Sequence, residues 1–272
     1  MAGYHRPSWA PDDAEIEKPS AARMYDYYLD GSHNFAADRA LAEQYIQVLP
    51  EIKNISWANR YFLRRAVTFL VQQGIDQFLD LGSGMPTVGN VHEVALALNP
   101  DSRVVYADAD LVTVSHGQAL LAHEPAAAYL HADLRNPESV LSSQAVTEHL
   151  DLSRPVGILM VAVLHFVPEQ DDPAEIIATY RDAVVPGSHL VISHATHDYH
   201  PETMRRASGV YDRASHSMNF RGREEIRGLL DGFELLSPGL VDVINWRPEP
   251  TDKDPYDGDV TRYNLLAAVG RR

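Results

Sequence analysis

One apolar run that breaks at two closely spaced glycines constrains this chain more than any other stretch. Residues 75–81 are typical of a buried strand, and Gly82 and Gly84 follow at once, with Asp80 just before the break. Glycine permits a positive φ or a close approach that a Cβ would block. Ligands of open α/β sheets bind beyond the carboxyl ends of the strands. The stretch therefore predicts a ligand-binding turn, although a plain turn has the same pattern.

The loop differs from the usual dinucleotide fingerprint. That pattern, G-x-G-x-x-G, needs a third glycine at position 87, where this chain has Thr87, and a G-x-G-x-G version would need one in place of Pro86. Asn90 and Glu93 predict a capping box for a helix that begins at Val91. The loop is thus longer than a direct strand-to-helix turn, which counts against a pyrophosphate held on the helix N-terminus.

Strands and helices alternate after a helical start. Helices are predicted at 21–30, 35–48 and 57–73, before strands at 75–81, 103–107, 129–132, 156–164, 189–194, 233–236 and 263–269. Apolar strands separated by helices indicate a parallel sheet covered on both faces, and right-handed crossovers make it doubly wound. No periodic helix separates the last two strands, so the final strand is expected to be antiparallel.

The chain divides into a tail, a helical cap and a sheet domain. Residues 1–19 contain three prolines and several charges and predict a flexible tail. We expect an N-terminal helical cap over 20–74 and the sheet domain over 75–272. A polar insertion at 195–220 is predicted to be a substrate lid, with Tyr199, Tyr211 and Arg213 as candidate contacts.

Charge and cysteine content exclude several classes of function. A net charge of −15 argues against nucleic acid and anionic membrane partners and suits a small neutral or cationic ligand. The absence of cysteine excludes disulfides and zinc–thiolate sites, and the longest apolar run, 156–167, is shorter than the ~20 residues that span a bilayer. No signal peptide is evident. We expect a cytoplasmic protein that acts on a small molecule; its oligomeric state stays open, with a homodimer as one option.

Three carboxylates fall at the carboxyl ends of three successive predicted strands: Asp80, Asp108 and Asp133. An acid roughly 20 residues past a glycine loop is where a ribose diol is bound, which suits Asp108, with Asp110 as a rival better placed to cap a helix. Asp133 can accept from an adenine amino group, and Asp80 can face an ammonium. An adenosine with an amino-acid tail fits these acceptors, whereas the alternative is three ordinary helix caps.

These motifs resemble those of class I S-adenosylmethionine-dependent methyltransferases. The resemblance is closest to a subfamily named simply S-adenosyl methyltransferase, whose substrate is unassigned. It implies a seven-stranded Rossmann-like sheet with an antiparallel last strand, and S-adenosylmethionine as cofactor. The matching segments cover nearly the whole chain after residue 18; they are 19–27, 34–39, 59–66, 77–87, 104–106 with Asp108, 132–135, 161–166, and 186–190 with Ser193 and His194.

The candidate site residues follow from the motifs and the resemblance. The predicted cofactor-binding residues are Tyr25, Asp80, Gly82, Ser83, Gly84, Asp108, Ala109, Asp133 and Leu134. Tyr25 and Tyr28 share a helix face that we expect to cover the sulfonium. His165, at the end of the fourth predicted strand, is the leading candidate for a general base, followed by His194. No metal ligand is predicted, since the histidines at 194, 197 and 200 lie in a polar, irregular segment.

Three functions compete at this point. The favoured one is methyl transfer to an unidentified, small-molecule acceptor. A non-catalytic sensor of S-adenosylmethionine is the second, because no residue is unambiguously catalytic. A nicotinamide-dependent oxidoreductase is the third, and both Thr87 and the three acids count against it.

Overall fold

A computed structural model describes residues 15–86 and 89–272. Its centre is one sheet whose strands run in the order β3-β2-β1-β4-β5-β8-β6, with β7 also paired to β8. The strands are β1 (Gln77–Leu81), β2 (Arg103–Asp108), β3 (Ala127–His131), β4 (Gly157–Val161), β5 (His189–Ala195), β6 (Glu234–Leu235), β7 (Val241–Asp242) and β8 (Leu265–Arg271).

The sheet confirms the predicted fold class. Strands β1 to β5 pair in parallel, and β8 runs antiparallel beside β5. The two-residue strands β6 and β7 pair with the same outer edge of β8, so the sheet has the seven positions predicted, with two strands sharing the last. The strand order reverses between β1 and β4, and crevices for ligands form at such a point in α/β sheets.

Helices cover both faces of the sheet, as its buried strands require. All five residues of β1 are buried, which explains the continuous apolar run. The longest helix, α3, packs Phe62, Val67 and Leu70 into the core on one face. The helices are α1 (Ala21–Tyr28), α2 (Ala36–Val48), α3 (Ile52–Gln72), α4 (Val91–Leu98), α5 (Leu111–Leu120), α6 (Pro137–Leu141), α7 (Gln144–His149), α8 (Pro173–Ala183), α9 (Pro201–Tyr211) and α10 (Arg223–Gly228).

The fourth strand is shorter than its apolar run suggested. Strand β4 ends at Val161 because Ala162 takes a positive φ of 55°, and Leu164–Phe166 then form a 3₁₀ turn. The prediction that His165 stands at the end of the fourth strand is therefore wrong, because the strand already ends at Val161. The residue lies beyond the strand end, on the turn that follows it.

Other predicted features concern the N-terminal region and membranes. Residues 1–14 of the predicted tail, and Thr87, lie outside the described residues. Ser20 directly precedes α1 and makes no side-chain capping bond; its backbone N–H donates to Asp38. Among the helices of the described segments, none is both long enough and apolar enough to cross a membrane.

Candidate active site

A cavity of about 380 Å³ lies at the carboxyl edge of the sheet, at the strand-order reversal. All ten predicted site residues line it, so the structure brings the whole predicted set together. They are Tyr25, Asp80, Gly82, Ser83, Gly84, Asp108, Ala109, Asp133, Leu134 and His165.

The glycine turn after β1 is held in place by backbone and tyrosine hydrogen bonds. The N–H groups of Gly82 and Ser83 donate to the carbonyl of Ala107, at 2.8 and 3.2 Å. The hydroxyls of Ser83 and Tyr129 are 2.5 Å apart, and Tyr129 donates to the carbonyl of Gly84 at 2.7 Å. Tyr129 comes from β3, 46 residues from Ser83 along the chain, so no local motif pointed to it.

Both glycines of this turn have a φ of 68°, yet their surroundings differ. A Cβ on Gly82 would lie 2.1 Å from the side chain of Val163, whereas a Cβ on Gly84 would meet no atom within 4 Å. We predict that Gly82→Ala lowers the free energy of unfolding by about 2–4 kcal/mol, from backbone strain plus a clash. Gly84→Ala, the matched control, should lose only about 1–2 kcal/mol from backbone strain. Urea unfolding of both variants measures this; equal losses would contradict it.

Asp108 is the carboxylate best placed to bind a diol. Its two oxygens accept from the N–H groups of Gly84 (2.9 Å) and Asp110 (2.8 Å), and a carboxylate with about four lone-pair sites keeps capacity to accept from a ligand. Burial raises the pKa of Asp108 to about 6. The rival, Asp110, is already engaged, since its carboxylate caps α5 through Thr113 N–H and pairs with Arg23. The structure thus favours Asp108 over Asp110 as the diol acceptor.

Asp80 and Asp133 offer acidic groups of different character. Burial, together with the nearby charge of Asp108, raises the pKa of Asp80 to about 7, although Arg60 acts in the opposite direction. Within the described chain, no group donates a hydrogen bond to the Asp80 carboxylate. Partial burial acts to raise the pKa of Asp133, but hydrogen bonds from Arg135 outweigh it, and the pKa falls below its ordinary value. Asp80 is therefore the less satisfied acid.

Arg23 joins the N-terminal helices to the end of β2. Its guanidinium donates to Asp38 at 2.9 Å, to Asp110 at 2.7 Å and to the carbonyl of Lys18 at 2.7 Å. Arg23 is only 3% exposed and Asp38 is fully buried. Since Asp110 N–H donates to Asp108, this network links α1 and α2 to the acid favoured for the diol.

Tyr25 is fixed by α3 rather than left free to move over the cavity. Its hydroxyl donates to the carbonyl of Ser56 at 3.1 Å and accepts from the Asn59 amide at 2.9 Å. The other amide atom of Asn59 accepts from Ser193 Oγ at 2.6 Å. The side chain of Tyr25 thus belongs to a hydrogen-bonded row that runs from α1 through α3 to β5.

His165 is held as a neutral imidazole. Its Nδ1 accepts from the N–H of Ala195 at 3.4 Å, which leaves the proton on Nε2. Burial, and then the charge of Arg221, lowers the pKa of His165 to about 3. A proton taken up here would create an imidazolium in a buried site beside a cation. The geometry therefore disfavours the general-base role predicted for this residue.

His194 has a structural position outside the cavity lining. Its Nε2 accepts from Arg221 at 3.0 Å and its Nδ1 donates to the carbonyl of Ala195 at 2.8 Å. Arg221 also donates to the carbonyls of Leu164 and Val167, so it holds the 3₁₀ turn that carries His165. The sequence analysis missed Arg221, because both of these carbonyls lie more than 50 residues away from it along the chain.

The insertion after β5 supplies part of the cavity wall. Tyr211 lines the cavity, whereas Tyr199 bonds to Asp242 and Arg213 to Gln44, both outside the lining. Across residues 15–86 and 89–272, no three histidine or acidic side chains are grouped to hold a metal ion.

Comparison with known proteins fixes the family. The family model described as S-adenosyl methyltransferase matches residues 7–272. The chain belongs to the S-adenosyl methyltransferase family. It is accordingly an S-adenosylmethionine-dependent methyltransferase, which confirms the expected enzyme class and cofactor.

Solved structures agree with this assignment. A protein from Thermobifida fusca, provisionally described as a methyltransferase, is 39% identical with a TM-score of 0.90, covering 98% of this chain and 99% of its own. A DUF574 family protein from Streptomyces avermitilis is 34% identical with a TM-score of 0.90, covering 95% and 99%. An O-methyltransferase family protein from Burkholderia thailandensis shares the fold alone, at 14% identity and a TM-score of 0.52, covering 95% and 66%. Among curated proteins, none matches the chain.

The residues present suit this cofactor. Asp108 has lone pairs for a ribose diol, and Asp80 is a buried carboxylate whose ionised form a cation would stabilise. Gly84 leaves open space where a side chain would otherwise project.

Proposed function

We propose that this methyltransferase methylates a small, uncharged and largely apolar molecule. The proposal depends on how charge is distributed along the sheet edge. The ends of β3, β2 and β1 present Asp133, Asp108 and Asp80. Among the described residues that line the cavity beyond β4, β5 and β8, none is an acid, lysine or arginine, and burial lowers the pKa of both histidines there, His165 and His216. A charged acceptor would lack a partner in that half of the cavity.

The half of the cavity beyond β4, β5 and β8 has an aromatic and aliphatic wall. Tyr45 and Tyr211 meet edge to face with ring centroids 4.9 Å apart, and Phe166 packs on Tyr211 at 5.7 Å. Met204 and Met218 complete this wall, and flexible thioethers adapt to irregular apolar ligands. A cavity of about 380 Å³ that must also contain the cofactor favours a small acceptor.

The roles of the chain's own residues follow from this division. S-adenosylmethionine, when bound, supplies a methyl group already activated on a sulfonium. Asp108 binds the ribose diol, Asp80 faces the cationic part, and Asp133 accepts from the adenine amino group beside Leu134. The nucleoside lies against the backbone of Gly82, Ser83, Gly84 and Ala109. Tyr25 and Tyr28 cover the sulfonium side of the cofactor. The protein then has mainly to align the acceptor and exclude water.

Cofactor binding should depend on pH through the two buried acids. The raised pKa values of Asp80 and Asp108, about 7 and about 6, mean that the free protein holds protons at pH 6.5. A bound cation favours the ionised carboxylates, so protons are released and affinity rises with pH from 5 to 8. Calorimetry of S-adenosylmethionine binding at pH 6.5, in buffers of different ionisation enthalpy, should register the release of about half to one proton per cofactor bound. Asp80→Asn should remove most of it; proton uptake by the unaltered protein would contradict the assignment.

We propose that His165 acts as a neutral hydrogen-bond donor to the acceptor through Nε2. His165→Gln keeps an N–H donor and should retain kcat within about 10-fold, whereas His165→Phe should lose about 10- to 100-fold. At saturating cofactor, the rate of methyl transfer should show no acidic limb between pH 6 and 7. Equal inactivation of both variants, with such a limb present only in the unaltered enzyme, would instead indicate a general base.

The acceptor class can be tested without knowing the acceptor. The enzyme is incubated with methyl-labelled S-adenosylmethionine and a metabolite extract, and the label is then partitioned at pH 7 by ion exchange. We expect labelled product in the flow-through, which holds uncharged molecules. Labelled product, distinct from unreacted cofactor, found only in the retained fractions would overturn the proposal. Tight cofactor binding with no labelled product would favour the sensor hypothesis.

A further inference from the structure

We propose that Arg221 is a positioning residue for methyl transfer, which fixes the turn that carries His165 and thereby directs its Nε2–H towards the acceptor. This inference rests on the proposed function, because it assigns the group that holds the proposed hydrogen-bond donor in place. His165 lines the cavity and Arg221 does not, so any effect of the arginine on the reaction passes through its neighbours.

The guanidinium of Arg221 bonds to both sides of the 3₁₀ turn. Its terminal nitrogens donate to the carbonyl of Leu164 at 3.1 Å and to that of Val167 at 2.9 Å. The carbonyl of His165 itself accepts from the N–H of Asn219 at 2.6 Å. Three carbonyls of this short stretch thus accept from one segment, residues 219–221, that is distant in sequence. The position of His165 therefore depends on that segment.

Arg221 is a buried cation with little opposing charge. Its one ion-pair partner among the described residues is Glu169, at 3.2 Å, whose side chain is 87% exposed. Its other acceptors are the two carbonyls and Nε2 of His194, at 3.0 Å, all of them uncharged. Because burying a charge against neutral partners costs stability, such an arginine is poorly explained by stability alone. Its place beside the turn favours a role in the reaction.

The charge of Arg221 also favours the neutral imidazole that a hydrogen-bond donor needs. Two titratable groups face the His165 ring: Arg221, and His194, whose ring centroid is 5.5 Å away. His194 is neutral, because its Nε2 accepts from Arg221 and its Nδ1 donates to the carbonyl of Ala195. Burial lowers the pKa of His165, and the charge of Arg221 lowers it further. With Nδ1 of His165 accepting from the N–H of Ala195, the ring proton stays on Nε2.

The segment that fixes the turn also carries part of the acceptor wall. Met218 lines the cavity and directly precedes Asn219, and its carbonyl accepts from Ser208 Oγ of α9 at 2.7 Å. Arg221 forms an isolated bridge with Thr196, just beyond β5. Residues 218–221 therefore join the apolar wall to the turn. An acceptor packed against Met218 meets His165 at a separation that this segment sets.

A double-mutant cycle tests whether Arg221 acts through His165. The rate of labelled-product formation is measured with the metabolite extract at saturating S-adenosylmethionine. Arg221→Gln should lower this rate about 10- to 100-fold and leave the dissociation constant of S-adenosylhomocysteine within about twofold. In the His165→Phe background the same change should cost less than about threefold. Arg223→Gln is the matched control, at a partly exposed arginine that bonds to Leu240 and Asp242, and it should change nothing.

Arg221→Lys separates the charge from the fork of the guanidinium, and it decides the matter if Arg221→Gln does not fold. Lysine keeps the cation, but its single ammonium does not reproduce the planar fork that bonds to Leu164 and Val167. We expect a rate about 10-fold lower, with unchanged cofactor affinity and again little further loss in His165→Phe.

The ring state of His165 gives a readout that does not depend on activity. Nitrogen NMR of ¹⁵N-histidine-labelled protein at pH 7 should show the Nε2–H tautomer of His165 in the unaltered enzyme, with the signal assigned by its loss in His165→Gln. Arg221→Gln should show a mixture of ring states, because the turn no longer holds Nδ1 against the N–H of Ala195.

The outcomes separate this inference from the function on which it rests. Additive losses in the cycle, or a His165 tautomer unchanged in Arg221→Gln, would overturn it by making Arg221 a structural residue only. Full activity in Arg221→Lys would overturn the need for the fork. Labelled product confined to the retained fractions, with the cycle still non-additive, would overturn the proposed acceptor class and leave the role of Arg221 intact.

Discussion

Asp108→Ala should lower the affinity for S-adenosylhomocysteine by about 100-fold, because a buried ribose diol loses a charged acceptor. Hydrogen bonds to charged groups contribute about 1.5–3 kcal/mol each, and two hydroxyls depend on this carboxylate. Asp108→Asn keeps an oxygen for the N–H of Gly84 or Asp110 and should lose less, about 10-fold. Isothermal calorimetry measures both values.

A cofactor analogue separates the ribose contact from a general disturbance of the turn. 2′-Deoxy-S-adenosylhomocysteine should bind the unaltered enzyme about 10-fold more weakly than the parent compound. The Asp108→Ala variant should bind the 2′-deoxy analogue and the parent compound with equal affinity, because the carboxylate that contacts the ribose hydroxyls is already absent. If the variant still discriminates between the two ligands, another residue holds the ribose, and Asp110 becomes the candidate.

Arg23→Met should lower the free energy of unfolding by about 3–5 kcal/mol, because it leaves buried carboxylates without their cation. Asp38 is fully buried, and burial raises its pKa even with Arg23 2.9 Å away. Without the arginine, Asp38 should take up a proton in the folded state at higher pH than in the unfolded state. Folding then binds protons, so the stability of the variant should improve as pH falls from 7 towards 5.

An exposed ion pair provides the control for Arg23. Arg205 is 74% exposed and pairs with Glu202, so Arg205→Met should cost less than about 1 kcal/mol. Urea unfolding of the two variants at pH 5 and pH 7 measures the difference. Similar small losses in both would contradict a structural role for the Arg23 network. Because Asp110 is a partner of Arg23, we also expect weaker S-adenosylhomocysteine binding in Arg23→Met alone.

The sheet and its acids were predictable because their signals are local. Each of Asp80, Asp108 and Asp133 follows an apolar run, and strand ends in a parallel sheet share one edge. The engagement of Asp133 by Arg135 is also local, since the two residues are two positions apart. The reversal at β1 and β4 then places all three acids in one cavity.

Residues fixed by distant partners escaped the sequence analysis. Arg221 directly follows the polar insertion 195–220, yet it is 4% exposed because it bonds to carbonyls of another turn. The early end of β4 depends on the positive φ of Ala162, where no glycine gives warning.

The central claim is that acids at neighbouring strand ends hold the nucleoside and the cationic part of the cofactor. A crystal structure of the complex with S-adenosylhomocysteine tests this most directly. We expect both ribose hydroxyls within hydrogen-bonding distance of Asp108, with the amino group of the homocysteine tail on the side of Asp80. A nucleoside bound away from β1 and β2, or ribose hydroxyls held by Asp110 with Arg23 displaced, would contradict the account.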